Sequence, residues 1–371
     1  MIRLRQVFRA ILVIALFAAG CATAPVPSTR YPAPPTGQSK PATPVAAAAY
    51  PSPARSPRAA AAGTPTATVP SQPTASVAGS TTTTPVSSTS PVSGFPVTVT
   101  DDAGNTVTFQ KDPLRIISLS PGHTETLYAL GLGDKIIMSD QYSTYPPENK
   151  PKAKLNTYPK PNEEQIVSLQ PDLIVTLVEG EDFNRAMAAR GIKVLTLFPK
   201  DFDGTLKDIN LLGRVTGTEA KAQQITSQMR QRANVVEAKT KPAPKIKVLY
   251  ELDASDPSKP WVAGPTGFFG SLVPLAGGKN VFADLTTTAS QVSAEQIISR
   301  DPDVIILADA NSPYNAQTPA MVKLRPGWSQ ITAVRDNRIE VIDSDLLSRP
   351  GPRLIDGLEQ MAKLIHPELF K

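Results

Sequence analysis

Glu164 and Glu295 are the residues whose type and placement suggest work: they open the segments EQIVSLQPDLIV and EQIISRDPDVII, 131 positions apart and identical at seven of twelve positions. Each follows a helix-start signal, Asn162 with Gln165 and Ser293 with Gln296, in which the short side chain accepts from an early backbone N–H and the Gln reaches back. Both carboxylates then fall at the second helical position, facing solvent and favoured by the positive helix end. That benefit explains either Glu taken singly; two at matching places read as a pair of acidic studs for a basic partner. Groups that catalyse or hold metals are scarce. His123 and His366 are the only histidines and Cys21 the only cysteine, too few for a His-rich zinc or manganese site. His366 reads as a C-terminal helix cap. His123, in the turn Pro121-Gly122-His123, is either a plain turn residue or one that reaches a ligand. No Gly-x-Ser-x-Gly elbow, His-Glu-x-x-His pair or phosphate loop occurs, which argues against an enzyme and leaves an exported hydrolase, built on two converging acids, as the rival class.

The twin segments also fix the architecture. Each parses as a short helix, a Pro-Asp turn and an apolar run of β-branched residues, suited to a strand buried on both faces. A duplicated helix–strand unit predicts an α/β fold of two Rossmann-like lobes with central, mostly parallel sheets and a ligand cleft between them. Residues 96–100 and 106–109 alternate around Asp101-Asp102-Ala103-Gly104-Asn105 as a hairpin. Strand 115–120 and a helix over 124–130 follow it. The second half echoes this with strand 246–252, a Pro/Gly-rich loop through Trp261 to Thr266, and a helix over 268–275. Between the halves, Ala222, Ile225, Met229, Ala233 and Val236 recur at helical spacing, which predicts a long rigid helix joining the lobes. The expected division is 95–205 for the first lobe, 206–241 for the connecting helical segment and 242–371 for the second.

The first hundred residues have another task. Residues 1–20 carry Arg3, Arg5 and Arg9 ahead of a short apolar run, a secretory signal too short to span a bilayer comfortably. Ala18-Ala19-Gly20-Cys21 resembles a bacterial lipobox, with Ala18 where Leu is commoner; this implies lipidation of Cys21 and an extracytoplasmic, membrane-anchored protein. From 21 to 94 the composition is Pro, Thr, Ser and Ala, which cannot bury enough surface to offset ordering and predicts a disordered tether. Seven Lys or Arg and no acid precede Asp101, so from there on 31 basic residues face 33 acidic ones. The overall pI of about 9.1 belongs to the leader and tether, and nucleic acid is not an expected partner.

The hairpin turn, Arg115-Ile116-Ile117-Ser118-Leu119-Ser120-Pro121 with Thr124-Glu125, Ala129-Leu130-Gly131-Leu132-Gly133-Asp134, Tyr145-Pro146-Pro147, both Pro-Asp repeats and Arg349-Pro350-Gly351-Pro352-Arg353 resemble the solute-binding proteins of ABC importers for vitamin B12 and ferric siderophores. The likeness covers about residue 95 to the end and is closest to the cobalamin-binding branch. It implies that Tyr142, within Asp140 to Pro147, offers an aromatic to a corrin. Tyr158 stands where a stacking Trp is usual, Trp261 where the second lobe presents an aromatic, and Asp345 where a polar contact to the nucleotide end is made. It further implies that Glu164 and Glu295 dock onto arginines of the permease. Leu177, Ala289, Leu346 and Leu347 depart from that branch, which often has aromatics there. The expected protein is a monomeric lipoprotein that needs no cofactor, captures a corrinoid and hands it to an ABC permease and its ATPase; a ferric siderophore or haem is the alternative cargo.

Overall fold

A computed structural model describes residues 94–149, 152–157, 160–177, 180–312 and 315–371. The leader, Cys21 and the tether lie outside them. The described chain opens with a hairpin, β1 (Val97–Thr100) and β2 (Thr106–Phe109), paired antiparallel from Val97↔Phe109 to Thr100↔Thr106. Its turn is organised by Asp101, whose carboxylate accepts from the backbone N–H groups of Asn105 at 2.7 Å and Thr196 at 3.0 Å. The second bond fastens the hairpin to the first lobe.

That lobe runs β3 (Ile116–Ser118), α1 (Pro121–Ala129), β4 (Ile136–Asp140), β5 (Lys154–Leu155), α2 (Glu163–Ser168), β6 (Leu173–Thr176), α3 (Glu181–Ala188) and β7 (Lys193–Thr196). The strands lie in the order β5-β4-β3-β6-β7, and every pairing is parallel. All of β3 and β6 is buried, as a sheet covered on both faces requires. Two helices follow, α4 (Phe202–Val215) and α5 (Glu219–Thr240). The second lobe contains β8 (Ile246–Asp253), β9 (Trp261–Ala263), α6 (Leu272–Leu275), β10 (Gly278–Asn280), β11 (Ala289–Gln291), α7 (Ala294–Arg300), β12 (Val304–Leu307), α8 (Pro319–Lys323), α9 (Thr332–Arg335), β13 (Ile339–Val341), α10 (Ser344–Leu347) and α11 (Leu354–Ile365). Its sheet order is β11-β9-β8-β12-β13, with β10 parallel to the start of β8 and β9 antiparallel to its end. The fold is two α/β lobes, as the duplication predicts.

The repeat is visible in backbone detail. Asn162 accepts from the Gln165 N–H at 3.0 Å, and Ser293 from that of Gln296 at 3.3 Å. In the second copy Gln296 also closes the box by accepting from the Ser293 N–H at 2.9 Å. Gln170 and Asp301, again 131 positions apart, both take left-handed backbone angles, φ 47° and 43°. This turns each chain into Pro-Asp. The Asp then ties the turn to the head of the central strand: Asp172 accepts from Arg115 N–H at 3.0 Å, and Asp303 from Lys247 N–H at 2.8 Å.

Three local expectations change. Helix α1 begins at Pro121, so His123 is helical; Pro fits the first turn, where its missing N–H costs nothing. Trp261 opens a strand rather than a loop, because β8 and β11 pair with it from both sides; the loop starts at Gly264. The helix expected over 268–275 shortens to α6, since Phe268 and Phe269 are buried in the preceding turns. The long helix expected between the lobes is α5, and Gly217, at φ 70°, separates it from α4. The longer α5 buries its Ala222, Met229, Ala233 and Val236 face and packs on both α4 and α11; its Arg232 reaches Asp356 at 2.7 Å and Glu359 at 2.8 Å on α11.

Inside the second lobe, Arg325 holds Glu251 of β8 through paired contacts of 2.5 and 2.8 Å, donates to Gln317 at 3.0 Å, and lies 4.5 Å from the centre of the Trp328 ring. Both charges are buried. Removing one partner strands the other in low dielectric, so Arg325→Met lowers the unfolding free energy by about 3 to 5 kcal/mol. Adding Glu251→Gln restores part of that loss, and urea titration of the single and double variants measures both.

Candidate functional site at the lobe junction

The lobes meet where α1 of the first approaches the segment before α11 of the second. Glu125 points into this junction with its side chain 2% exposed. Arg353 holds it by two contacts, Nε to Oε2 at 2.8 Å and an Nη to Oε1 at 2.6 Å. Arg349 adds a longer one of 3.2 Å. The paired hydrogen bonds with Glu125 raise the Arg353 pKa above its ordinary value. The backbones touch as well: a Cβ on Gly122 would lie 2.8 Å from the Pro350 carbonyl oxygen, and one on Gly351 2.8 Å from that of Gly122. Only glycine allows this approach at these two positions.

On the first-lobe side the junction carries the loop after β4, which holds Tyr142 and Tyr145, 38% and 42% exposed. A buried polar network fixes its shape. Asp140 accepts from the Tyr142 N–H at 2.8 Å and contacts the Ser143 hydroxyl. Ser143 Oγ and Thr124 Oγ1 are 2.8 Å apart, and Thr124 donates to Ser118. Asn149 and Lys154 both donate to the Ser143 carbonyl at 2.8 Å. Burial raises Asp140 and lowers Lys154, as expected for charges taken from water. A loop held this way presents its tyrosines at small conformational cost. The Arg353 guanidinium covers Tyr145, 3.9 Å from the ring centre.

Asp345, at the second position of α10, joins this group: it pairs with Arg349 at 2.6 Å, and Arg349 also reaches Thr144 at 3.4 Å. The structure thus brings Asp345 and the Tyr142 loop to one place. Trp261 is half-buried on β9. Tyr158 lies outside the described residues. Glu164 and Glu295 are exposed at the second positions of α2 and α7, with no ion pair among the described residues. A hydrogen bond with Ser293 holds the Glu295 carboxyl below its ordinary range. His123 does not open onto the junction. It is 2% exposed, neither ring nitrogen has a hydrogen-bond partner among the described residues, and the groups acting on it are the Asp102 carboxylate and the Leu197 backbone. The sequence alone assigns no role to Glu125, Tyr145, Arg349 or Arg353. Their signal is present in part: two arginines four apart in a Pro/Gly segment need an acid once buried, but only the fold brings Glu125 to them.

Residues 116–346 match the family described as periplasmic binding protein. An uncharacterized ABC transporter substrate-binding lipoprotein of Bacillus subtilis, YvrC, is 34% identical over 284 residues, 75% of this chain and 88% of its own length. The chain belongs to the periplasmic binding protein family. A vitamin B12-binding protein of Vibrio cholerae is 30% identical over 67% of this chain and 87% of its own. The crystal structure of the periplasmic vitamin B12-binding protein BtuF of Vibrio cholerae superposes with a TM-score of 0.60 at 26% identity, covering 70% of this chain and 98% of that one. As a periplasmic binding protein, the chain is an extracytoplasmic carrier of a small ligand for an ABC permease and its ATPase, and not an enzyme. No helix of the described residues is long and apolar enough to cross a membrane.

Burial pushes His123 down from 6.5 to about 4, against the weaker pull of Asp102 and Leu197. The unfolded chain therefore takes up a proton near pH 6.5 that the folded chain refuses until about 4, so this residue's contribution is present at neutral pH and lost as pH falls through that window. Asp208 slopes the other way: burial and then Asp102 push it up to about 8, so it costs the folded state stability as pH rises from the unfolded value towards 8. The two partly cancel in the native protein, and the difference from a His123→Gln variant isolates the histidine. The native protein's stability relative to that variant is expected to fall by about 3 kcal/mol between neutral pH and pH 4. Urea unfolding of both proteins at the two pH values checks it.

Proposed function

We propose that the protein captures a corrinoid, vitamin B12 or a precursor, at the lobe junction, as a lipoprotein held to the membrane through Cys21 and acting as a monomer. What carries this reading is the pair of half-exposed tyrosines on the Asp140-braced loop. A flat macrocycle gains contact area and stacking from rigid aromatics. The vitamin B12-binding relatives supply the second support. Asp345 is half-exposed beside the same loop and offers an acceptor to a ligand amide or hydroxyl, while Trp261 and Tyr158 are proposed as further ring contacts. The deciding observation is the visible spectrum of the protein after incubation with cobalamin and removal of free ligand, beside haem and a ferric siderophore. Retention of cobalamin alone supports the reading, and retention of another ligand instead replaces it.

Tyr142→Ala is expected to weaken cobalamin binding several-fold, since an aromatic pair contributes roughly 0.5 to 1.5 kcal/mol beyond burial, with an unchanged melting temperature. Calorimetry with equal affinities in variant and native protein would remove Tyr142 from the site.

Glu164 and Glu295 are proposed to meet basic side chains of the permease. Charges at a rim act on orientation and association, and reversal sets like charges together. Glu164→Arg with Glu295→Arg abolishes uptake in cells while cobalamin affinity stays within about twofold, because neither residue is at the junction. Normal uptake by the double variant would reduce both residues to favourable helix ends.

A further inference from the structure

We propose that Glu125, Arg349 and Arg353 form an interlobe latch whose grip is set by Asp345, so that engagement of Asp345 by a ligand tightens the lobes on each other. The contact lengths carry the argument. Arg353 is committed to the first lobe, with two short contacts to Glu125 and its plane on Tyr145. Arg349 is divided. Its short contact, 2.6 Å, is to Asp345 of its own lobe, whereas its reaches across the junction are 3.2 Å to Glu125 and 3.4 Å to Thr144. Asp345 therefore holds Arg349 back from the first lobe. Glu125 is enclosed, but the Asp345 side chain is 45% exposed, so of the two carboxylates only Asp345 is open to an arriving ligand.

A ligand amide or hydroxyl that hydrogen-bonds Asp345 draws it from Arg349. The guanidinium then closes on Glu125 and Thr144, where a buried charge-assisted contact is worth more than one shared with solvent. Ligand capture and latch closure are then two sides of one coupling, so each favours the other equally. Arg349 and Glu125 are positioning residues in this scheme. The ligand half of the proposal rests on the cleft reading above; the latch itself does not.

The test uses the full chain with Cys21→Ser and spin labels at Asp182→Cys on α3 and Asp336→Cys after α9, both exposed and one on each lobe. Interlobe distances are read by pulsed electron resonance without ligand. Glu125→Gln is expected to broaden and lengthen the distribution. Asp345→Asn is expected to narrow it, because the competitor for Arg349 has lost its charge. Arg353→Lys keeps the charge but loses the paired contact and the stack on Tyr145, and it gives an intermediate widening that serves if Glu125→Gln fails to fold. Unchanged distances in all three, or widening by Asp345→Asn, overturn the proposal, since a merely structural role gives no opposite signs. With cobalamin added, Glu125→Gln is expected to release it about fivefold faster or more. Opposite distance shifts with no cobalamin bound by the native protein leave the latch standing and remove the corrinoid reading.

Discussion

A carboxylate enclosed between two arginines governs how this chain is put together. An ionised Glu125 without partners would cost several kcal/mol of desolvation, and among the described residues the first lobe supplies no cation to meet it. Both its partners, Arg349 and Arg353, come from the second lobe, more than 220 residues later. The charge is thus satisfied only when the lobes are docked. The same docking needs two backbones in van der Waals contact at Gly122 and Gly351, and it places the Tyr142 loop next to Asp345. Lobe pairing, burial of charge and assembly of the candidate site are one event.

Within each lobe the duplicated unit does comparable work at shorter range. Asp172 and Asp303 join a left-handed turn to the first residues of the central strand, which fixes the strand register from one end. The apolar runs β6 and β12 then lie beside β3 and β8 with their side chains buried on both faces. The two lobes differ at their ends: the first stays wholly parallel, while the second closes with antiparallel β9 and β11. That difference puts Trp261 on a strand and leaves it half-buried.

What the sequence made legible was local. Capping pairs, the Pro-Asp turns and the period of α5 depend on residues within a few positions of one another, and Glu164 and Glu295 were placed at their helix positions from those signals alone. What it hid was set by distant chain. His123 looked free in a turn because Asp102 and Leu197, which enclose it, are far away in sequence. Trp261 looked like loop because its strand partners, Asp253 and Gln291, lie eight residues before it and thirty after it. The pairing of Glu125 with Arg349 and Arg353 is invisible for the same reason, although their motifs carry the family resemblance.

Strand direction explains why the candidate ligand loops and the proposed docking carboxylates lie on one side of each lobe. In a parallel sheet the intervening helices run opposite to the strands, so helix starts and strand ends share an edge. The capped starts of α2 and α7, with the proposed docking carboxylates, therefore lie at the same edges as the loops after β3 and β4 and the end of β8. A carrier built this way needs no relay between distant faces. The distance between Glu164 and Glu295 depends on how the lobes are angled, and the proposed Glu125 latch is one contact that would set that angle. A permease that reads two carboxylates at once is then sensitive to the lobe angle itself, and through it to whether the site between the lobes is filled.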